Sequence, residues 1–229
     1  KVKDVFMLAE AENPKLHNKA FDMTYAWEAH FIMNEIANGK KSAKDLIENI
    51  NKNKSRFPND AFRLHFTSNH DENSWNGTVK ERLKGGVETF AALAFTAPGM
   101  PLIYSGQEYD LNKRLRFFEK DTISKESRHM FSVYKKLGKL KNEDVALSGG
   151  ENPASYEPLQ TSSPKQVIAF KRKKGEESII YIANVTDKEV EVSLNLDGDF
   201  QDYMNKNQTF TIKKNQKIKM LPWEYHILK

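Results

Sequence analysis

Residues 62–73 read FRLHFTSNHDEN, an apolar run that changes abruptly into six polar residues. An apolar run of this length with a polar boundary is typical of a buried β-strand followed by a loop. Thr78-x-x-Glu81 then forms a capping box for a helix whose apolar residues recur at helical spacing from Leu83 onward. Gly85-Gly86 lie inside this helical pattern and lower its propensity by about 1 kcal/mol per glycine. The stretch predicts one strand–loop–helix unit.

The segments on either side of this unit alternate short apolar runs with helical patterns in the same way. They predict helices that begin near residues 27, 42, 78 and 125, and strands at residues 5–8, 21–25, 62–67 and 101–104. Strands that alternate with helices are the pattern of a parallel sheet. We therefore expect an α/β fold over residues 1–143.

The hydrophobic period changes to two after Gly149-Gly150, most plainly in residues 190–196, VEVSLNL. Turn-rich stretches such as Asp197-Gly198-Asp199 separate the apolar runs. The pattern predicts antiparallel strands at residues 167–171, 178–184, 190–196, 210–212, 218–221 and 225–228. We expect a small β-sandwich domain at residues 144–229.

The composition excludes several classes of protein. The chain has 229 residues, of which 38% are hydrophobic, so it carries enough apolar surface to form a core. It contains no cysteine, which excludes disulfide frameworks and zinc sites with cysteine ligands. Its 36 basic and 31 acidic residues are interleaved, and its 6 histidines are scattered. We therefore expect no nucleic-acid partner, no membrane span and no metal site in this chain.

Groups capable of acid–base chemistry follow three of the predicted parallel strands: Glu10, His70 with Asp71, and Glu108. The carboxyl ends of parallel strands meet at one edge of a sheet, where active sites form. Two carboxylates and a histidine suit acid–base chemistry on an acetal or a phosphate ester. A structural alternative stays open at this point, because such carboxylates also cap helices and residues 69–71 could form a hydrogen-bonded turn.

The order of these motifs resembles the α-amylase family, glycoside hydrolase family 13. Residues 66–71, FTSNHD, resemble the Phe-x-x-Asn-His-Asp segment at the seventh barrel strand of that family. Residues 99–108, GMPLIYSGQE, are similar to its eighth strand, and residues 5–10, VFMLAE, to its fifth. The antiparallel segment looks like the C-terminal β domain of the family. The resemblance implies the second half of a TIM (β/α)8 barrel at residues 1–143 and a β-sandwich at residues 144–229.

The resemblance also implies roles for individual residues in a retaining hydrolase of starch or maltodextrin. Glu10 would be the general acid and base, and Asp71 the carboxylate that favours the oxocarbenium-like transition state. His70 would bind the same sugar ring, with Asn69 and Trp75 as further substrate-binding residues. Departures from the family pattern are Ala11 after the acid, where a bulkier residue is usual, and Gln107, where aspartate is commoner.

The largest departure from the family is the start of the chain at the fifth barrel strand. The nucleophilic aspartate of the fourth strand and the usual calcium ligands then have no counterpart in this sequence. We expect a C-terminal fragment that is inactive alone, whose partners are an α-glucan and the missing N-terminal half of the barrel. The chain itself would hold no cofactor, although the resemblance allows calcium in the full-length enzyme.

Two other functions remain open: a non-catalytic relative that serves as a binding scaffold, and an α-glucoside transglycosylase. Any signal peptide would lie upstream of Lys1, and a polymeric substrate favours a periplasmic or extracellular location over a cytoplasmic one.

Overall fold

A computed structural model describes residues 5–205 and 208–229 of the chain. The first four residues of the predicted barrel segment lie outside the described residues. The α-helices are α1 (Trp27–Ala37), α2 (Ala43–Arg56), α3 (Val79–Leu83), α4 (Val87–Thr96) and α5 (His129–Glu143). The first four strands are β1 (Leu8–Ala9), β2 (Met23–Tyr25), β3 (Phe62–Phe66) and β4 (Met100–Leu102). The later strands are β5 (Ser155–Pro158), β6 (Val167–Lys174), β7 (Glu177–Asn184), β8 (Val190–Val192), β9 (Gly198–Gln201), β10 (Thr209–Ile212), β11 (Ile218–Met220) and β12 (Tyr225–Leu228).

The first four strands form one parallel sheet in the order β1-β2-β3-β4. Leu8 pairs with Met23, and Tyr25 pairs with Leu64. Helices connect β2 to β3 and β3 to β4, as parallel neighbours require. The α/β fold class predicted from the sequence is confirmed, and the carboxyl ends of these strands lie at a common edge.

Capping boxes start two of the helices, and the one at Thr78 is predicted from the sequence. The Ser42 amide donates to the Asp45 carboxylate (2.8 Å), at the start of α2. The Thr78 amide donates to Glu81 (2.7 Å), and the Glu81 amide donates back to the Thr78 hydroxyl (3.3 Å), at the start of α3. These reciprocal bonds satisfy amides that have no partner within the helix.

The helix predicted from residue 78 to Pro98 is broken into two, α3 and α4, by a tight turn at Lys84–Gly86. Trp223, from the antiparallel part of the chain, explains the break. A Cβ on Gly85 would lie 2.5 Å from the Trp223 ring, and one on Gly86 would lie 2.8 Å from Phe90 and 2.9 Å from Trp223. The two glycines are therefore required for the close approach of Trp223.

The antiparallel sheet β12-β7-β6-β5 is covered on both faces. Ile179 and Tyr181 face the core that α1, α2, α4 and α5 build, whereas Ile180 and Ile182 face a second core with residues of β8, β10 and β11. The Tyr181 hydroxyl also donates to the carbonyl of Thr89 in α4 (2.7 Å). Helices and antiparallel strands thus share one core, and a domain boundary at residue 144 stays a prediction.

Several predicted strands differ in length from the observed ones. The strand expected at residues 190–196 is confined to β8, and Leu194 makes only an isolated bridge to Thr161. The expected turn at Asp197–Asp199 is partly strand, because β9 pairs with β10 from Gly198 onward. The strand expected at residues 5–8 is observed only at β1. In each case the available pairing partner, rather than the local pattern, determines the length of the strand.

The parallel sheet has a small buried cluster of its own, and exposed apolar residues at its edges. Met23, Tyr25, Leu64 and Phe66 form the cluster. The apolar residues that lie exposed beside β1 and β4 are Val5, Phe6, Met7, Leu8 and Ile103. Within the described residues, β1 and β4 each pair on one side only. The same described part of the chain contains no helix with the length and apolar character needed to cross a bilayer.

Candidate active site

Glu10, His70 and Asp71 converge at the carboxyl edge of the parallel sheet. Glu10 directly follows β1, and the other two lie in the turn after β3. One carboxylate oxygen of each acid and one His70 ring nitrogen all lie within 4.8 Å of one another. His70 Nε2 is 3.7 Å from Asp71 Oδ2, and both side chains are about half exposed. A sugar could therefore reach all three groups from solvent.

A buried network fixes the turn that carries His70 and Asp71. The Asn69 side-chain oxygen accepts a hydrogen bond from the Glu72 amide (2.8 Å), and the Glu72 carboxylate contacts His30 Nε2 (2.9 Å). Burial alone would raise the pKa of Glu72, but hydrogen bonds from His30 and Asn76 lower it below its usual value. The sequence predicted a plain loop here. The structure instead has a π-helical turn at Glu72–Asn76, held by these contacts.

Arg82 of α3 ties the same turn to the end of β3. Its guanidinium donates to the carbonyls of Thr67 (2.8 Å) and Gly77 (2.9 Å) and to the side chain of Asn34 in α1 (3.0 Å). The backbone on both sides of His70 and Asp71 is therefore anchored to helices. Such anchoring preorganises groups that must meet a substrate in one geometry.

Tyr25 is a member of the site that the sequence analysis assigned only to a strand. It ends β2 and is buried. Burial raises the pKa of the Tyr25 phenol, and the charges of Glu10 and Asp71 raise it further, whereas the Asn69 side chain opposes them. The available signal was its position, since Tyr25 ends a strand at the same sheet edge as Glu10.

Gln107 and Glu108, which follow β4, make hydrogen bonds with neighbouring protein groups. Gln107 donates to the Thr67 hydroxyl (2.7 Å) and accepts from the Tyr104 amide (2.8 Å). Glu108 accepts from the amide of Gly106 (2.9 Å), within its own turn. Gln107 thus connects the ends of β3 and β4, and Glu108 lies outside the cluster of titratable groups.

Trp75, Phe117 and Phe118 form an exposed group of rings, here called the aromatic shelf. Trp75 is 5.1 Å from Phe117 and 6.2 Å from Phe118 between ring centroids, and Phe117 is 5.6 Å from the His70 ring. Phe118 is 85% exposed and Trp75 is 57% exposed. Trp75 was predicted from the sequence and the two phenylalanines were not, although an aromatic pair within a charged run was a usable signal.

Asn73 and Ser74 fasten the segment that carries the aromatic shelf to the π-helical turn. Asn73 donates to the carbonyl of Lys113 (3.1 Å) and accepts from the amide of Leu115 (2.8 Å). The Ser74 hydroxyl donates to the carbonyl of Leu115 (2.7 Å). The aromatic shelf is thus held beside His70 by residues of the same turn.

Calcium does not fit the residues at this site. Ca²⁺ takes six to eight oxygen ligands, whereas the cluster offers two carboxylates and an imidazole nitrogen. Among the residues that the structure describes, no other group of three histidine or acidic ligand atoms lies so close together.

Comparison with known proteins agrees with the resemblance seen in the sequence. The family model described as "Alpha amylase, catalytic domain" matches residues 10–146. Alpha-amylase 2 of Dictyoglomus thermophilum is 26% identical over 95% of this chain and 39% of its own length. The noncanonic maltogenic alpha-amylase AmyB from Thermotoga neapolitana shares the fold with a TM-score of 0.86 at 24% identity, over 99% of this chain and 55% of that chain.

An alpha-amylase from Lactobacillus plantarum shares the fold with a TM-score of 0.75 at 17% identity, over 95% of this chain and 50% of that chain. The chain therefore spans about half the length, or less, of these relatives. Because the family model matches more than half of the residues, the chain belongs to the α-amylase family.

Proposed function

We propose that this chain is the C-terminal part of a retaining α-glucan hydrolase, with Glu10 and Asp71 in its active site. The observation that carries the proposal is the convergence of Glu10, His70 and Asp71 within 4.8 Å. Membership of the α-amylase family relates this cluster of residues to the hydrolysis of glycosidic bonds. Cleavage of α-glucosidic bonds in starch or maltodextrin is the activity that this arrangement supports best.

In the proposed reaction, Glu10 donates its proton to the glycosidic oxygen as the bond from that oxygen to the sugar carbon breaks. A carboxylate nucleophile from outside this chain forms the glycosyl–enzyme bond. Glu10 then removes a proton from the attacking water, which releases the sugar and restores the acid. Asp71 and His70 would bind sugar hydroxyls, whose hydrogen bonds strengthen as positive charge develops on the ring.

In this proposal, the nucleophile belongs to the half of the barrel that this chain does not contain. The exposed apolar residues beside β1 and β4, and the unpaired edges of these two strands, support it. Such edges and faces are normally covered. The antiparallel strands from residue 144 onward would form the β-sandwich domain, and no activity is expected from this chain alone.

Oligosaccharide binding is the second element of the proposal. A structural relative at 14% identity, AmyP, has been solved in complex with maltotriose. The aromatic shelf would extend the binding surface from His70 by stacking on sugar faces. Asn69 would lie beside this surface, in the turn that carries His70. A polymeric substrate of this kind would place the complete enzyme in the periplasm or outside the cell.

The test is to recover the upstream coding sequence and to assay the complete protein on starch, pullulan and short maltosides. We expect hydrolysis by the complete protein and none by the purified 229-residue chain. An upstream Gly-x-Arg-x-Asp strand would agree with the proposal. If that strand is absent and the complete protein hydrolyses none of these substrates, the binding-scaffold alternative is favoured. The presence of both carboxylates argues against that alternative.

A transglycosylase is the second candidate. A cyclomaltodextrin glucanotransferase shares the fold with a TM-score of 0.76 at 16% identity. Product analysis with maltoheptaose separates the two reactions, because a hydrolase gives shorter linear sugars and a transglycosylase gives longer or cyclic ones. Predominance of longer or cyclic products would replace the hydrolase assignment.

A further inference from the structure

A cavity of about 290 Å³ lies at the opposite edge of the parallel sheet from Glu10. It is bounded by α2, the start of β3, the residues before β4 and the segment that leads into β5. The rings of Phe57, Phe62 and Tyr156 form part of its wall. None of the residues of the candidate active site lines this cavity, so it is a separate feature of the molecule.

Besides the acceptor Asn53 Oδ1, three buried hydrogen-bond donors in the cavity wall have no protein partner. They are the Tyr156 hydroxyl, Asn49 Nδ2 and Arg63 Nε, in side chains that are 6%, 4% and 7% exposed. A buried polar atom without a partner destabilises the fold, and such atoms in native proteins call for an explanation. All three atoms can donate a hydrogen bond.

The charged residues of the wall are all basic. Among its described residues the lining includes Lys54, Arg63 and Arg172 but no aspartate or glutamate. Arg172 is 1% exposed, and its guanidinium donates only to backbone carbonyls, of Thr96 (3.0 Å), Ser155 (2.9 Å), Ser148 (3.3 Å) and Ala154 (3.4 Å). Burial lowers the pKa of Arg172 to about 10, and the Tyr156 side chain opposes this shift only in part. Arg63 is paired with Glu12, which lies outside the lining, whereas the Arg172 guanidinium contacts carbonyls and no carboxylate. The positive charge of Arg172 is therefore the part that the lining leaves unbalanced.

We propose that this cavity binds a small organic anion, a carboxylate or a phosphate ester on a compact carbon skeleton. Its oxygens accept hydrogen bonds from Asn49, Arg63 and Tyr156, and its skeleton packs against the aromatic wall. The volume of the cavity is at the small end of the range for ligand-binding sites. The bound anion would join α2 and β3 to the start of the antiparallel sheet and stabilise the folded chain.

The test measures thermal unfolding of the 229-residue chain with benzoate, glucose 1-phosphate and inorganic phosphate. Benzyl alcohol and glucose serve as neutral counterparts. We expect a saturable rise in Tm with at least one organic anion and none with the neutral compounds. No rise with any anion, or equal rises with the neutral compounds, would overturn the proposal. An equal response to inorganic phosphate would overturn the requirement for a carbon skeleton.

Tyr156→Phe locates the response at this cavity. Its hydroxyl has no protein partner, so the variant should keep the Tm of the ligand-free chain while its affinity for the anion falls about three- to tenfold. Tyr181→Phe is the matched control, because that hydroxyl donates to Thr89 (2.7 Å). The control should lose stability and keep its affinity. Unchanged affinity in Tyr156→Phe would place the binding elsewhere and overturn the assignment, whatever the outcome for the proposed hydrolase.

Discussion

His65 links the stability of the fold to pH. Burial lowers the pKa of His65 to about 4, and the hydrogen bond between its Nε2 and the Pro98 carbonyl (3.1 Å) opposes the shift only in part. A histidine in the unfolded chain titrates near 6.5. Below that pH the unfolded chain binds a proton that the folded chain does not, so stability falls as the pH is lowered towards 4.

We expect His65 to remove about 3 kcal/mol of the free energy of unfolding between pH 7 and pH 4. His65→Gln keeps a hydrogen-bond donor and lacks the titration, so its stability should depend less on pH. Urea unfolding of both proteins at pH 7, 5.5 and 4 measures the difference. Parallel pH profiles for the two proteins would show that His65 does not couple protonation to folding.

Phe118 tests the aromatic shelf at the level of a single residue. It is 85% exposed, so Phe118→Ala should change stability little. In the complete protein we expect KM for maltooligosaccharides to rise several-fold while kcat stays nearly constant, because stacking contributes to binding in both ground and transition states. Leu221→Ala, at another exposed apolar position, is the control. Equal kinetics in the two variants would remove Phe118 from the binding surface.

The sequence predicts the residues of the site better than their surroundings. Glu10, His70 and Asp71 were identifiable because each follows an apolar run in a recognisable motif. Tyr25 and the phenylalanines of the aromatic shelf were missed because their roles depend on packing between distant segments. The contact of His30 with Glu72 spans 42 positions, and no local pattern of residues records such a pairing.

Among the elements, two glycines at helical positions have opposite roles. Gly85 lies where a Cβ would meet the Trp223 ring at 2.5 Å, whereas Gly138 in α5 has open space around it. We expect Gly85→Ala to lower the free energy of unfolding by about 1–3 kcal/mol through overpacking. Gly138→Ala should raise it by up to about 1 kcal/mol, because alanine favours the helix.

Denaturant unfolding of the two glycine variants, with the parent chain alongside, measures this contrast. Trp223→Leu combined with Gly85→Ala should recover part of the loss, since the smaller side chain leaves room for the added methyl group. No loss of stability in Gly85→Ala would show that the approach of Trp223 is not the reason for the break between α3 and α4, and a loss in Gly138→Ala would contradict the open space around Gly138.

Local signals predicted three of the four helix starts well and strand lengths poorly; the helix expected near residue 125 begins at His129. Capping boxes at Ser42 and Thr78 act within one turn of helix, so the sequence contains all the information needed. The extent of a strand depends on what lies beside it. Residues 193–196 alternate correctly yet lack a continuous partner, while Gly198 joins β9 because β10 is beside it.

On the scale of the whole molecule, the exposed apolar residues beside the edge strands of the parallel sheet determine how the chain behaves alone. Phe6 is 53% exposed next to β1, whose outer edge has no partner within the described residues. We expect the isolated chain to self-associate at micromolar concentration and to bind a hydrophobic dye, because unpaired edges and apolar patches associate. Light scattering and dye fluorescence measure both effects.

Phe6→Ser should reduce this self-association, whereas Phe118→Ser should not, although Phe118 is the more exposed of the two. The complete protein should show neither effect if the missing barrel half covers the sheet. A chain that stays monomeric and leaves the dye unbound at tens of micromolar would show that these edges of the sheet need no cover.

Proton donation by Glu10 is the step on which the proposed activity depends most. In the complete protein, Glu10→Gln keeps the shape of the side chain and removes the acid. We predict that kcat for maltoheptaose falls about 10²- to 10⁴-fold, while hydrolysis of a nitrophenyl maltoside falls far less, because nitrophenolate leaves without a proton. Retained activity on maltoheptaose, or an equal loss on both substrates, would contradict the role of Glu10 as the general acid.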